Sequence, residues 1–338
     1  MMEIQRNISL KPFTTFQVEA SAEAYIRFDA VDEILGFLAD GLLKGRRRLV
    51  LGGGSNLLFL NNFEGLILHP AMKGISVVGE DADDVLVSAA AGETWDDLVA
   101  FVVGHGWGGL ENLSGIPGHV GASVIQNIGA YGIEAGDAVA AVEAVSLDDR
   151  QQVTFSPNDC DFGYRFSRFK GEWHDRFIIT AVVFRLSRRP DCVLHYPGLR
   201  EAAACMGDVT PANIRQAVID IRKRKLPDPA VIPNAGSFFK NPVVSGTVIE
   251  EMRDRFPDMP FYSQSDGAFK LPAGWLIEQC GWRGRTFGNA AVHGDHALVL
   301  VNSGGAGGRE IYDLSEGIRA SVAERFGISL EREVVVVA

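Results

Sequence analysis

The chain has 338 residues, of which 46% are hydrophobic and 22% charged, and a formal net charge of −11. That length suggests roughly two or three soluble domains, with enough apolar material to build cores without disulfides or metals. The acidic balance argues against bulk affinity for nucleic acid or anionic membranes, so an anionic ligand would need a local basic patch, for which Arg46–Arg48 and Arg222–Lys225 are candidates unless they are solvated faces.

In chain order, Met1–Asn7 carries charge where an export signal needs an apolar run. A strand over Glu23–Phe28, an amphipathic helix over Val31–Leu43, a strand over Arg48–Leu51 and another over Gly65–His69 make a βαβ-like unit. A strand at Val85–Ala90 and a helix from Thr94 to about Val103 follow, with Thr94 and Asp97 spaced as an N-cap pair. The glycine-rich stretch Gly104–Gly136 lacks periodicity and is too long for an idle connector, so it is predicted to be a functional loop. Strands resume at Val139–Leu147, Val153–Phe155 and Phe177–Leu186, which makes the middle of the chain α+β rather than a parallel repeat. A helix over Ala212–Arg224 ends at a linker-like Pro227-Asp228-Pro229 break. Beyond it come helices near Val248–Arg255, Ala273–Cys280 and Arg309–Phe326, and strands at Ala297–Val301 and Glu333–Val337. Cys160, Cys192, Cys205 and Cys280 show no metal-like spacing and read as free thiols of a reducing compartment. No apolar run reaches the ~18 residues of a membrane span, so the expected location is the cytoplasm.

Chemistry concentrates in a few segments. Gly52-Gly53-Gly54-Ser55-Asn56 follows a strand, where freed N–H groups form an anion-binding concavity; the alternative is a tight turn. It lacks the Gly-Lys-Ser/Thr of a P-loop, and Leu57 occupies the third glycine position of a dinucleotide fingerprint. Gly104–Gly109 does match GxGxxG, but Gly115 and Pro117 forbid the helix that should open after it, so it is rejected as a nucleotide site. Gly115–Gly118 and Gly121–Gly132 form a second glycine bed, with polar edges at Gln126, Asn127 and Tyr131. Two separated beds suit a long ligand with phosphates at one end and a ring system at the other, as in a dinucleotide cofactor. Arg165, set among aromatics in Gly163–Lys170, could grip a carboxylate or simply stack on a ring. Ser237 follows the flexible Gly236 and precedes Phe238 and Phe239, which suits either a proton donor in a dry pocket or a turn that buries two rings. Tyr196 is a loop-tip contact or a turn aromatic, and Glu333 is a carboxylate at the start of an apolar strand, costly unless paired or functional. His293 and His296 have HxxH spacing but no third ligand, so no metal is expected.

Several segments together resemble the UDP-N-acetylenolpyruvoylglucosamine reductase family, type I: LGGGSNLLF (51–59), ENLSGIPGHVGASVIQNIGAYGIE (111–134), FGYRFSRFK (162–170), RKRKLPDP (222–229), NAGSFFKNP (234–242), WLIEQCGWRG (275–284), HALVLVN (296–302) and LEREV (330–334). They follow one another over nearly the whole chain. The resemblance implies an α+β architecture: a two-part FAD-binding fold of the vanillyl-alcohol-oxidase (PCMH) type with an added α+β substrate-binding domain. It implies a first FAD-binding subdomain at 1–73, joined by the C-terminal strand 327–338, a second FAD-binding subdomain at 74–226, and the substrate-binding domain at 227–326.

Non-covalent FAD would contact Gly52, Gly53, Gly54, Ser55, Asn56, Ile116, Pro117, Gly118, Gly121, Ala122, Ile125, Gly129, Tyr131 and Ile179. Tyr196, Lys225 and Asn241 would bind substrate. NADPH would reduce FAD, and hydride would pass from flavin N5 to the vinyl terminus of UDP-N-acetylglucosamine enolpyruvate. Arg165 and Glu333 would stabilise the resulting enolate-like charge, and Ser237 would deliver the proton. The family further implies peptidoglycan precursor synthesis in a cytoplasmic monomer, hence roles in cell-wall biogenesis, cell shape and division. His296 departs from the glutamine expected in some relatives, and the chain stops at Ala338 with no expected extension. The alternative within the same cofactor fold is an alcohol or sugar oxidase, with His119 as a covalent flavin ligand; a non-catalytic nucleotide-binding scaffold is the third reading.

Overall fold

The structure is a computed structural model that describes residues 3–43, 45–264 and 267–338; Met1 and Met2 of the N-terminal segment lie outside the described residues. Two compact units divide the chain: Met1–Ile8, Ala22–Gly54 and Glu64–Arg224 form the first, and Ser9–Ser21, Ser55–Phe63 and Lys225–Ala338 the second.

The first unit contains two sheets. One orders its strands Gln5–Ser9, Ser21–Phe28, Phe63–Pro70, Arg48–Val50, with Arg48–Val50 running parallel to Leu66–Leu68. The other is antiparallel, in the order Gln152–Phe155, Val139–Ser146, Phe177–Ser187, Asp84–Ala90, Ile75–Glu80. Period-two burial explains the strand Asp84–Ala90, since Val85, Val87 and Ala89 point inward and their neighbours do not. Helix Trp95–Gly104 buries Trp95, Leu98, Val99 and Val102, which is the spacing of one helical face. The indole of Trp95 donates to the Leu113 carbonyl at 2.9 Å, which ties the start of this helix to the chain just before Gly115.

The second unit carries an antiparallel sheet in the order Asn234–Ser237, Val299–Asn302, Ala290–Val292, Thr286–Phe287. Helix Gly308–Phe326 packs on it and buries Ile311, Leu314, Ile318 and Val322. Val335–Val337 pairs in parallel with Leu57–Phe59.

Three expectations need correction. The helix begun at Val31 ends at Ala39 rather than Leu43, because Gly41 adopts a left-handed φ of +69° beyond its C-cap. Thr94 does occupy the N-cap position, but its hydroxyl makes no capping bond and its backbone instead bridges to His119. Glu333 does not open a strand. It lies in a bend before Val335–Val337, and Val335 is 37% exposed, so the costly buried strand start inferred from sequence is absent.

Candidate active site and cofactor bed

In the first unit the two glycine loops meet backbone to backbone. A Cβ placed on Gly53 would stand 2.8 Å from Gly118 Cα and 3.2 Å from His119 Cδ2, so glycine permits this approach. Among the described residues, the N–H groups of Gly52, Gly53, Gly54, Ile116, Gly118 and His119 donate to no protein acceptor. Gly54 is buried, and buried backbone donors are rarely left unpaired. Converging N–H groups from two touching loops fit the pyrophosphate of a dinucleotide such as FAD. The GxGxxG stretch has no such character: Gly108 packs against Pro190 and bonds Ser187, and a short 3-10 turn, Glu111–Leu113, follows it.

The bed continues through Ala122, Ile125 and Gly129, all half-buried, while Pro117 is exposed and Gly121 buried. Ile179 is 4% exposed within the strand Phe177–Ser187 and joins the apolar core. Asn127, Tyr131 and Arg165 adopt φ of +51°, +50° and +55°. Left-handed backbone at non-glycine residues costs about 1–3 kcal/mol and gathers at working sites. Asn127 is the structural pin: its amide donates to Glu134 (2.6 Å) and the Gly163 carbonyl (3.1 Å), and its oxygen accepts from Gly136 (2.7 Å). Arg165 occupies the third position of the Gly163–Phe166 turn. It donates Nη2 to the Gly129 carbonyl at 2.9 Å and lies over the Tyr164 ring at 5.3 Å. The guanidinium is thus braced on both sides.

Tyr131 and Tyr196 meet edge to face at 4.7 Å. Asn112 holds their surroundings together by donating to the carbonyls of Tyr131 (2.8 Å) and Val193 (2.9 Å). Burial raises the Tyr131 phenol, and the nearby charge of Arg222, whose Nε donates to the Gly115 carbonyl at 3.1 Å, opposes that rise. The basic run therefore contains a residue, Arg222, that turns inward rather than standing as a solvated charge.

His69, 8% exposed, lies beside His119 with ring centroids 5.9 Å apart and beside Tyr25 at 5.8 Å. Burial first, then His119 and Arg27, lower His69 from 6.5 to about 4, while Asp29 and a bond to the Leu51 backbone oppose this. The folded state thus holds fewer protons between those values, so stability is intact above 6.5 and falls as pH drops toward 4. At 1.36 kcal/mol per unit the loss attributable to His69 approaches about 3 kcal/mol. Urea unfolding at pH 7 and 4.5 should show His69→Gln losing less on acidification than the unsubstituted protein; equal losses would remove His69 from the acid response.

In the second unit, Ser237 ends the strand Asn234–Ser237 and pairs with Val299 across a register shift. Gly236, at φ +69°, forms that bulge, and its N–H bonds to the Asn234 oxygen at 2.8 Å. Phe238 and Phe239 are 0% and 1% exposed, so the burial of two rings expected of the turn is real. Ser237 is half-buried, and its hydroxyl bonds no protein group among the described residues. Lys240 is committed to Glu331 at 2.5 Å, and the Asn241 side-chain oxygen accepts from Ala273 at 2.9 Å. The carbonyl of Glu333 accepts from Asn56 (3.1 Å), and its N–H donates to Phe238 (2.9 Å), which links the strand carrying Ser237 to the Glu333 bend. Lys225 is exposed at the end of helix Pro211–Lys225. Burial, Lys225 and His293 all lower His296, which favours its neutral form. A cavity of about 660 Å³ also opens between Lys11, Glu19, Val231, His293 and Asn302, but Ser237, Asn241 and Glu333 do not line it. Arg165 belongs to the first unit, and Ser237 and Glu333 to the second.

Sequence reasoning does not reach Asp96, which accepts the Gly115 N–H at 2.6 Å and the Arg215 fork at 2.6 and 2.8 Å beside the second glycine loop, and it reaches Arg222 only as one charge of a basic run. The first-turn acid of a helix and two helical arginines look like ordinary surface charge until their partners are known.

Comparison with known proteins finds two family models in order: an FAD binding domain over residues 22–155, and the C-terminal domain of UDP-N-acetylenolpyruvoylglucosamine reductase over residues 228–337. A UDP-N-acetylenolpyruvoylglucosamine reductase of Flavobacterium johnsoniae is 44% identical, covering 99% of this chain and 100% of the relative. One from Paraburkholderia phymatum is 46% identical, covering 96% and 95%. The crystal structure of the Thermus caldophilus reductase matches over 100% of both chains, with 26% identity and a TM-score of 0.71.

Proposed function

Because the chain belongs to the UDP-N-acetylenolpyruvoylglucosamine reductase family, we propose that it reduces UDP-N-acetylglucosamine enolpyruvate to UDP-N-acetylmuramate at the expense of NADPH. It is an FAD-dependent oxidoreductase with the two-part FAD-binding fold and an added α+β domain. The observation that carries the assignment is near-full-length similarity to reductases of this name, and the converging N–H groups of the two glycine loops supply chemistry that fits their cofactor.

Bound FAD would accept hydride from NADPH and return it to the vinyl terminus of the substrate. The remaining work falls to the chain. Gly52–Asn56 and Ile116–Gly121 would hold the pyrophosphate without covalent attachment. Ala122, Ile125, Gly129, Tyr131 and Ile179 would line the ring system. Arg165, held by Gly129 and Tyr164, would meet the negative charge that develops beside the substrate carboxylate, with Glu333 as its partner in polarising the intermediate. Ser237 would then protonate the adjacent carbon. Tyr196, Lys225 and Asn241 would bind the substrate, Lys225 and Asn241 at its diphosphate end. The functional division would run 1–73 with 327–338, 74–226, and 227–326.

Such an enzyme would serve peptidoglycan synthesis, and through it wall biogenesis, shape and division, as a cytoplasmic monomer. No helix among the described residues is long and apolar enough to cross a membrane. The oxidase alternative is not favoured, since full-length relatives are reductases.

The deciding assay is NADPH oxidation with and without UDP-N-acetylglucosamine enolpyruvate under anaerobic conditions. Turnover should require the enolpyruvyl sugar. NADPH consumption indifferent to it, or dependent instead on an alcohol and oxygen, would defeat the assignment.

A further inference from the structure

Asp96 stands on the first turn of helix Trp95–Gly104, and its carboxylate is used on both oxygens. Oδ1 and Oδ2 accept the Arg215 fork at 2.6 and 2.8 Å, from helix Pro211–Lys225. Oδ1 also accepts the N–H of Gly115 at 2.6 Å, where φ is +68° at the head of the Gly115–Gly118 turn. The carbonyl of Gly115 in turn accepts Nε of Arg222 at 3.1 Å. Arg222 follows Arg215 by ~two turns along the same helical face. The same helix contributes Ile214, Val218 and Ile221 to the apolar cluster against which Tyr131 and Tyr196 pack, and the two rings meet each other edge to face.

A hydrogen-bonded path therefore runs from Asp96 through Gly115 to Arg222, and the helix that carries Arg215 and Arg222 shares an apolar cluster with the Tyr131–Tyr196 pair, entirely within the first unit. Burial pushes the Asp96 carboxyl up, but Arg215, the Gly115 N–H and the more distant Arg222 outweigh it and keep the group below the usual carboxylate range. A bidentate fork fixes orientation as well as distance. Nothing in the proposed chemistry uses Asp96 directly, and its carboxylate is spent on Arg215 and on the peptide that opens the glycine turn.

We propose that Asp96 is a positioning residue that holds the Gly115–Gly118 turn and the Tyr131–Tyr196 pair as one body, so that cofactor affinity and substrate affinity are coupled. This rests on the assignment of that turn to FAD and of Tyr196 to the enolpyruvyl sugar. Asparagine at position 96 keeps an acceptor for Gly115 but presents an N–H₂ group to one arm of the guanidinium. The fork is lost and the turn is released.

The test is a double-mutant cycle of Asp96→Asn with Tyr131→Phe. Substrate affinity is read on holoenzyme from the perturbation of the flavin absorbance by UDP-N-acetylglucosamine enolpyruvate, and FAD affinity from fluorescence on dilution. Each single variant should weaken both constants by about 10-fold, and the pair by little more than either, against the ~100-fold expected of independent residues. A merely structural Asp96 would lower Tm and leave the cycle additive. Additivity, or unchanged constants in Asp96→Asn, overturns the proposal. If Asp96→Asn does not accumulate as holoenzyme, Arg215→Lys enters the same cycle, because it keeps the charge and loses the fork. An unsubstituted enzyme whose spectrum ignores the sugar would count against the substrate assignment, while the FAD arm still judges Asp96.

Discussion

Ser237→Ala is expected to leave bleaching of the flavin band by NADPH within about twofold of normal, while slowing reduction of the enolpyruvyl substrate by about 100- to 10,000-fold, the range for loss of a general acid. The selectivity follows from the geometry. Ser237 pairs with Val299 through its backbone, which alanine preserves, and the bulge depends on Gly236 and Asn234 rather than on the hydroxyl. Phe238 and Phe239 would remain buried, so stability should change by less than about 1 kcal/mol. The residue is half-buried and its hydroxyl bonds no protein group among the described residues, which leaves its proton available to a ligand. A serine is a weak acid, but a carbon carrying enolate charge is basic enough to take its proton. Anaerobic stopped-flow separates the two half-reactions. Equal slowing of both would mean that Ser237 shapes its surroundings rather than donates a proton, and unimpaired substrate reduction would assign the proton to another group.

How much of this site the sequence discloses depends on the kind of signal. Gly236 before Ser237, and Phe238-Phe239 after it, are residue types with few alternative uses, and the bulge and buried rings follow from them. The strand Asp84–Ala90 and helix Trp95–Gly104 are readable because burial imposes period two on one and a single face on the other. The left-handed backbone at Tyr131 and Arg165 is not readable, since their side chains carry no preference for a positive φ; of the three left-handed residues there, only Asn127 is of a type that visits it readily. Asp96 is invisible for a related reason. Its partners, Arg215 and Gly115, are remote in sequence, and an acid in a first helical turn already has a sufficient local explanation in the helix dipole. Glu333 misleads because four consecutive valines look like one buried strand, whereas the chain bends first and exposes Val335. Local pattern thus locates the elements and the chemically unusual residues, and long-range pairing decides which of them are braced.

The Gly52–Gly54 loop and the GxGxxG stretch give the sharpest contrast between a motif expected to hold the cofactor and one that is not. Gly53→Ala should yield protein that purifies nearly colourless, with FAD affinity down by about 100-fold or more, as two or three displaced N–H donors would cost. The added Cβ would lie 2.8 Å from Gly118 Cα and 3.1 Å from its carbonyl carbon, and backbone cannot step aside as a flexible side chain can. The loops must part, at a strain of about 1–3 kcal/mol, and the donors of Gly52–Gly54 no longer face those of Ile116–His119. Gly104→Ala is the matched control: its Cβ would meet nothing within 4 Å, its φ is not positive, and it belongs to the letter-perfect GxGxxG. That variant should bind FAD normally. Visible spectra of the two proteins after identical purification are sufficient to judge. A yellow Gly53→Ala with unaltered FAD affinity would show that the touching loops do not hold the pyrophosphate, and a colourless Gly104→Ala would restore the rejected motif as a cofactor site.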